Sequence, residues 1–143
     1  AVSGLLALAE QARLERWPNA SGLDLTALLD ARMGQVYVAA CSWDGCRWHS
    51  GAEALLNYAD AARLPAQVLA GNVRQAWAGL DFAIPAALHD AQPSAQALLA
   101  VALQDLAAGA QTLQDPAALA PVYVRNQVAQ TTAERAAAKA QGM

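Results

Sequence analysis

The chain has 143 residues, 56% of them hydrophobic and 15% charged, and 9 Lys and Arg against 12 Asp and Glu give it a net charge of −3. That is enough chain for one domain with its own core, and too apolar a chain for disorder. The arginines are scattered rather than gathered into the basic patch that phosphate neutralisation requires, so autonomous nucleic-acid binding is not expected, and no unbroken apolar run reaches the roughly 18–20 residues of a membrane helix.

The chain opens "AVSGLL" without an initiator methionine and reads as one entered partway through. Residues 3–16 are predicted to be a helix: Leu5, Leu8, Ala9 and Ala12 follow helical spacing, Ser3 can cap the start and Pro18 stops continuation. "LDLTALL" (23–29) is a strand with Leu23, Leu25, Ala27 and Leu29 on one face. "QVYVAACS" (35–42) is a second strand, apolar on both faces as a doubly covered strand should be. Asp44-Gly45 then reads as a two-residue turn into a third strand at 46–49, completing an antiparallel meander. In that register Cys41 and Cys46 are diagonal neighbours, too far apart for an easy disulfide. Free thiols fit a reducing, cytoplasmic setting.

Residues 52–62 are helical in composition. "AQVLAG" (66–71) is a short buried strand, residues 73–79 a brief helix, and "DFAIP" (81–85) another short strand. The strongest helix follows, with Ser94 as cap, Gly109 near its end and an apolar stripe of Leu98, Leu99, Ala102, Leu103 and Leu106. Asp115-Pro116 signals a helix start. Residues 121–130 begin extended, and 131–141 are helix-prone within a polar tail, 127–143, expected to fray. Three meandering strands followed by helix, strand, helix, strand, helix is the order of an RNase H-like α/β unit, and actin-like ATPase folds are built from two such lobes.

Reactive constellations are weak. Cys41, Cys46, His49 and His89 lack zinc-finger spacing. Asp24 and Asp30 lack a third acid on a neighbouring strand for divalent metal, and neither cysteine has an evident histidine base. No catalytic residue, metal or cofactor is therefore assigned. Gly71-Asn72, lying between a strand and a helix, suits an anion through backbone N–H groups, and suits a tight turn better. Within "LDARMGQVYVAA" (29–40), Asp30 is expected to form an Asx-type turn, Gly34 to supply positive φ, and Arg32 to project outward or fold back onto Asp30.

That stretch resembles the "DARMGEVY" signature of the bacterial TsaB (YeaZ) family. "VLAGN" (68–72) is similar to its second marker, "PVYVRNQVAQ" (121–130) to its C-terminal "P-x-Y-L-R-x-x-V-A" segment, and "AVSGLLALAEQA" to the helix after its interlobe crossing. The resemblance implies the C-terminal lobe of an actin-like (ASKHA) protein: an antiparallel three-strand meander extended by short parallel strands, helices packed on the sheet, and residues 1–17 as the interlobe helix. It implies a non-catalytic partner of the TsaD transferase. With the TsaE ATPase, that partner helps to install threonylcarbamoyl on tRNA adenosine. The family's first lobe, with its Asp-Thr-Ser strand and Gly-Pro-Gly-Ser-Phe-Thr-Gly loop, is not in this sequence, and docking onto TsaD and homodimerisation run mainly through that lobe. Asp30, Arg32, Gly34, Gly71 and Asn72 are then expected to face the other lobe or a partner. The competing expectation is an actin-like nucleotide hydrolase or an M22 glycoprotease-like peptidase.

Overall fold

The computed structural model describes residues 1–110, 113–125 and Ala137. The chain runs α1 (Gly4–Arg16), β1 (Leu23–Asp30), β2 (Gln35–Trp43), β3 (Trp48–Ser50), β4 (Ala54–Asn57), α2 (Tyr58–Ala62), β5 (Leu69–Gly71), α3 (Arg74–Trp77), β6 (Leu88–Asp90), α4 (Ala95–Ala107) and a short 3-10 turn at Pro116–Ala118. The strands form one mixed sheet in the order β3-β2-β1-β5-β6, with β4 also paired to β2. β1 and β2 pair antiparallel from Leu23↔Trp43 to Asp30↔Val36, whereas β1, β5 and β6 run parallel. This is the expected α/β architecture, helices packed on the sheet.

The period-2 pattern of β1 sorts its side chains between two cores. Leu25 and Ala27 join Leu5, Leu8, Trp43 and Trp48 beneath α1. On the other face Leu28 joins Val36, Val38, Leu69 and Trp77 beneath α2 and α3. α1 begins as expected, with Ser3 Oγ accepting from the Leu5 amide at 3.1 Å. Leu5 and Leu8 are almost fully buried, each contributing about 1.5–3 kcal/mol in transfer free energy.

Several elements differ from the sequence expectation. The β2–β3 connection is a four-residue loop: Trp43 pairs Trp48 and Cys41 pairs Ser50, so the third strand is Trp48–Ser50 rather than 46–49. Asp44 decides this, because its Oδ1 accepts from the amides of Cys46 (2.8 Å) and Arg47 (2.9 Å). Both cysteines are free, Cys41 buried and Cys46 exposed. Residues 54–57 of the expected 52–62 helix are a strand, paired with Gln35–Val38. Without it that half of β2 would present an open row of N–H and C=O groups, and satisfying them overrides the helical preference of Ala and Leu. Asn57 then caps α2, accepting from the Asp60 amide at 2.8 Å. The expected 66–71 strand shortens to Leu69–Gly71, and the expected 73–79 helix to Arg74–Trp77. Residues 81–85 form no strand, and β6 lies at Leu88–Asp90 in register with β5. Phe82 and Ile84 instead pack against the second core.

The leucine stripe of α4 is the largest reversal. Its buried residues are Ala97, Val101 and Asp105, while Leu98, Leu99, Leu103 and Leu106 are 43%, 59%, 57% and 39% exposed. Polar satisfaction sets the rotation. Gln104 Nε2 donates to buried Glu10 at 3.1 Å, Asp105 pairs with Arg47 at 3.3 Å, and Ser94 Oγ donates to Gln11 at 2.5 Å. Turning the leucines inward would strand these groups, and small Ala97 and Val101 let α4 lie close to α1. Residues 121–125 form neither helix nor strand, while 126–130, the helix-prone 131–141 and the 127–143 tail lie outside the described residues apart from Ala137.

Candidate functional site

The β1–β2 tip stands at the C-terminal end of the parallel strands, beside the point where the chain, having paired β2 to one side of β1, crosses to pair β5 on the other. Open α/β sheets commonly place their binding residues at this end, where the connection reverses. Three consecutive residues are left-handed here: Arg32 (φ 61), Met33 (φ 55) and Gly34 (φ 75). For the two with a Cβ this conformation costs about 1–2 kcal/mol each.

The surroundings hold that conformation in place. Asp30 Oδ1 accepts from the Arg32 amide at 3.2 Å, the expected Asx turn. The Gln35 amide closes onto the Arg32 carbonyl at 3.1 Å, the Ala31 amide bonds the Gln35 carbonyl at 2.9 Å, and the Tyr58 amide bonds the Gly34 carbonyl at 2.9 Å. Asp30's own amide donates to Asn72 Oδ1 at 2.8 Å. The Tyr58 hydroxyl donates to Asp30 Oδ1 at 2.7 Å. Arg125 arrives from the far end of the sequence: Nη2 bonds the carbonyls of Ala31 (2.8 Å) and Arg32 (3.2 Å), and Nη1 lies 3.6 Å from Met33 Sδ.

All five residues singled out in the sequence lie at this end of the sheet. Asp30, Arg32, Gly34 and Asn72 belong to the tip and its bonds, and Gly71 acts one step back. A Cβ on Gly71 would sit 2.3 Å from the Leu28 carbonyl oxygen and 2.7 Å from Leu28 Cβ. Only glycine lets β5 approach β1 closely enough for Asn72 to reach Asp30. Arg32 projects outward: its side chain is 89% exposed and its Nε is 3.9 Å from Asp30 Oδ2. Tyr58 and Arg125 were not singled out by sequence. Arg125 does lie within the segment that carries the family resemblance, whereas Tyr58 left no signal beyond following a capping Asn.

The polar groups of the tip are largely engaged with one another. Burial raises the Tyr58 phenol above its ordinary value, and the hydrogen bond to Asp30 and the carboxylate's charge raise it further, so it stays a protonated donor. Asp30 is occupied by that hydroxyl and by the Arg32 amide, leaving it poorly placed to act as a general base. A separate open groove of about 680 Å³ lies at the other end of the same sheet face, over Asp24, Thr26, Ser42, His49 and Gln67. There α2 and α3 do not cover the sheet, and His49 is held by Asp44 at 2.8 Å. The groove is lined by short stretches between residues 24 and 68, whereas the bonds of the tip reach across as many as 94 positions.

No protein-family model matches the chain, and no curated protein matches it. Solved structures do. "An uncharacterized protein with similarity to peptidase YeaZ from Pseudomonas aeruginosa" aligns with 87% of this chain at 27% identity and a TM-score of 0.62. YeaZ from Pseudomonas aeruginosa aligns with 77% at 27% identity and a TM-score of 0.55. The chain is similar to YeaZ. Its six-stranded sheet and packed helices match the actin-like fold of these YeaZ neighbours. It spans 58% and 52% of their respective lengths. Among the described residues no helix is long and apolar enough to cross a membrane.

Proposed function

We propose that this chain is the C-terminal lobe of a TsaB-type scaffold that supports a TsaD-like transferase, together with a TsaE-like ATPase, in threonylcarbamoyladenosine modification of tRNA, acting in the cytoplasm without catalysis of its own. One observation carries this reading. The three segments resembling TsaB signatures, separated by up to 94 positions, meet at a single tip: Asp30 to Gly34 from the first, Asn72 from the second and Arg125 from the third. Signatures that converge on a turn held by hydrogen bonds, with its carboxylate already engaged, suit recognition better than bond-making. The peptidase label on one neighbour's description adds no nucleophile–base pair to this arrangement.

The test is genetic and chemical. Depleting the native gene product that carries this sequence should lower threonylcarbamoyladenosine in bulk tRNA, measured by mass spectrometry of nucleosides. The TsaD-type protein of the same organism should co-purify with the tagged product. Unchanged nucleoside levels together with absent co-purification would sink the scaffold reading.

A further inference from the structure

We infer that Arg32 and Met33 form a preorganised knob that docks into a concave, carboxylate-bearing surface of a protein partner. This inference deepens the scaffold reading and rests on it.

The argument begins with strain. Arg32 and Met33 occupy a left-handed conformation that Asn or Gly would adopt more cheaply. A hydrogen bond accepted by Asn72 and others donated by Tyr58 and Arg125 nevertheless hold the turn. The side chains so fixed pack on almost nothing, with Arg32's side chain 89% and Met33 74% exposed. Order maintained around two exposed, strained residues adds nothing to the core, and strain of this kind concentrates where binding needs a preset geometry.

Shape and charge then define the occupant. Small-molecule sites are concave, whereas this tip is convex: even a Cβ built on Gly34 would meet nothing within 4 Å. A knob requires a hollow, and a macromolecule supplies one. Arg125 Nη2 is taken up by the carbonyls of Ala31 and Arg32, its Nη1 lies against Met33 Sδ, and Asp30 is taken up by Tyr58 and the Arg32 amide. With Asp30 Oδ2 only loosely placed at 3.9 Å, Arg32 offers a planar fork suited to bidentate pairing with a carboxylate. Beside it Met33 offers a flexible apolar thioether suited to a hydrophobic seat. Arg and Met are both enriched in protein interfaces. An acidic side chain at the rim of an apolar hollow is the matching chemistry.

Affinity of the native gene product for the TsaD-type protein, measured by calorimetry, tests this. Arg32→Ala should weaken binding about thirtyfold or more, as expected for truncating one member of a buried charge pair, and Arg32→Glu should weaken it further. Met33→Gly relieves the left-handed strain, so its thermal midpoint should equal or exceed the wild type's while affinity falls about tenfold, a split that a purely structural role would not produce. A photoreactive residue at position 33 should crosslink to the partner. Wild-type product that fails to bind overturns the scaffold reading and the knob with it. Wild-type binding with all three variants within twofold overturns the knob alone, and so does crosslinking confined to the protein's own chain.

Discussion

Replacing Glu10 should be among the most damaging single changes in this chain. Glu10 is 1% exposed and accepts four hydrogen bonds: from Arg13 Nε at 2.8 Å and Nη2 at 2.9 Å, Trp48 Nε1 at 2.8 Å and Gln104 Nε2 at 3.1 Å. Arg13, itself only 10% exposed at its side chain, also lies 4.2 Å over the Trp43 ring. Glu10→Ala leaves a buried guanidinium without its counter-charge, worth about 3–5 kcal/mol. It also leaves a buried indole N–H unpaired, worth about 1–3 kcal/mol more where the two do not overlap. Against a domain stability of about 5–15 kcal/mol, a loss of about 4–6 kcal/mol is decisive. Glu10→Gln keeps the shape and loses the charge, so about 2–3 kcal/mol is expected. The double change Glu10→Met with Arg13→Met should be milder than Glu10→Ala, since no lone charge remains. Urea unfolding with linear extrapolation measures all three. Burial raises the Glu10 carboxyl, but the hydrogen bonds from Arg13, Trp48 and Gln104 and the charge of Arg13 outweigh it, placing it below the ordinary 4.5. A depressed carboxyl stabilises the fold above its unfolded value and stops doing so as pH falls through its folded one. Stability should therefore decline below about pH 4.5, less steeply in Glu10→Gln. A Glu10→Ala penalty under about 1 kcal/mol would refute the reasoning.

Gly71→Ala should cost about 3 kcal/mol by forcing β5 away from Leu28, read as a lowered thermal midpoint; an unchanged midpoint would show that the strands can part freely. On α4, Val101→Ala should cost about 1–3 kcal/mol, while Leu99→Gln and Leu103→Gln stay within about 0.5 kcal/mol; the reverse order in denaturant titrations would mean that the leucines face the core. Cys46, exposed, should react with a maleimide in the native protein. Cys41, buried and with its thiol pushed up to about 12 by that burial, should react only on unfolding, and equal rates by intact mass would contradict the burial. Arg125→Ala should speed amide exchange across residues 31–34, because it frees the carbonyls of Ala31 and Arg32; unchanged exchange would show that the Asx turn alone holds the tip.

What the sequence revealed and what it hid divide along one physical line. α1 was legible because its signals are local: a Ser3 cap, helical spacing of leucines, and Pro18 beyond the end. The Asx turn at Asp30 and the positive φ of Gly34 were legible for the same reason. Tyr58 and Arg125 were not, because their bonds to the tip span 28 and 94 positions and leave no periodic trace. β4 hid behind helix-forming residues, since what makes it a strand is the open edge of β2. The α4 leucines misled for a sharper reason. Apolar periodicity marks the face that would most benefit from burial, yet the face actually buried is the one that answers Glu10 and Arg47.

That last competition bears on the tip. At the end of the sheet where β1 begins, Glu10, Arg13 and Asp105 are buried, and Arg47 is half-buried against Asp105. Each would be costly if left unmatched, so each has a partner, even at the expense of leaving leucines in solvent. At the end where β1 finishes, the same chain leaves Arg32 in water and fixes the backbone beneath it with bonds drawn from three segments. If rigidity alone were needed, a glycine or asparagine turn would supply it with less strain. The difference between the two ends is that the charges at one stabilise the fold, while the charge at the other is held in place by the fold and left open to whatever meets it.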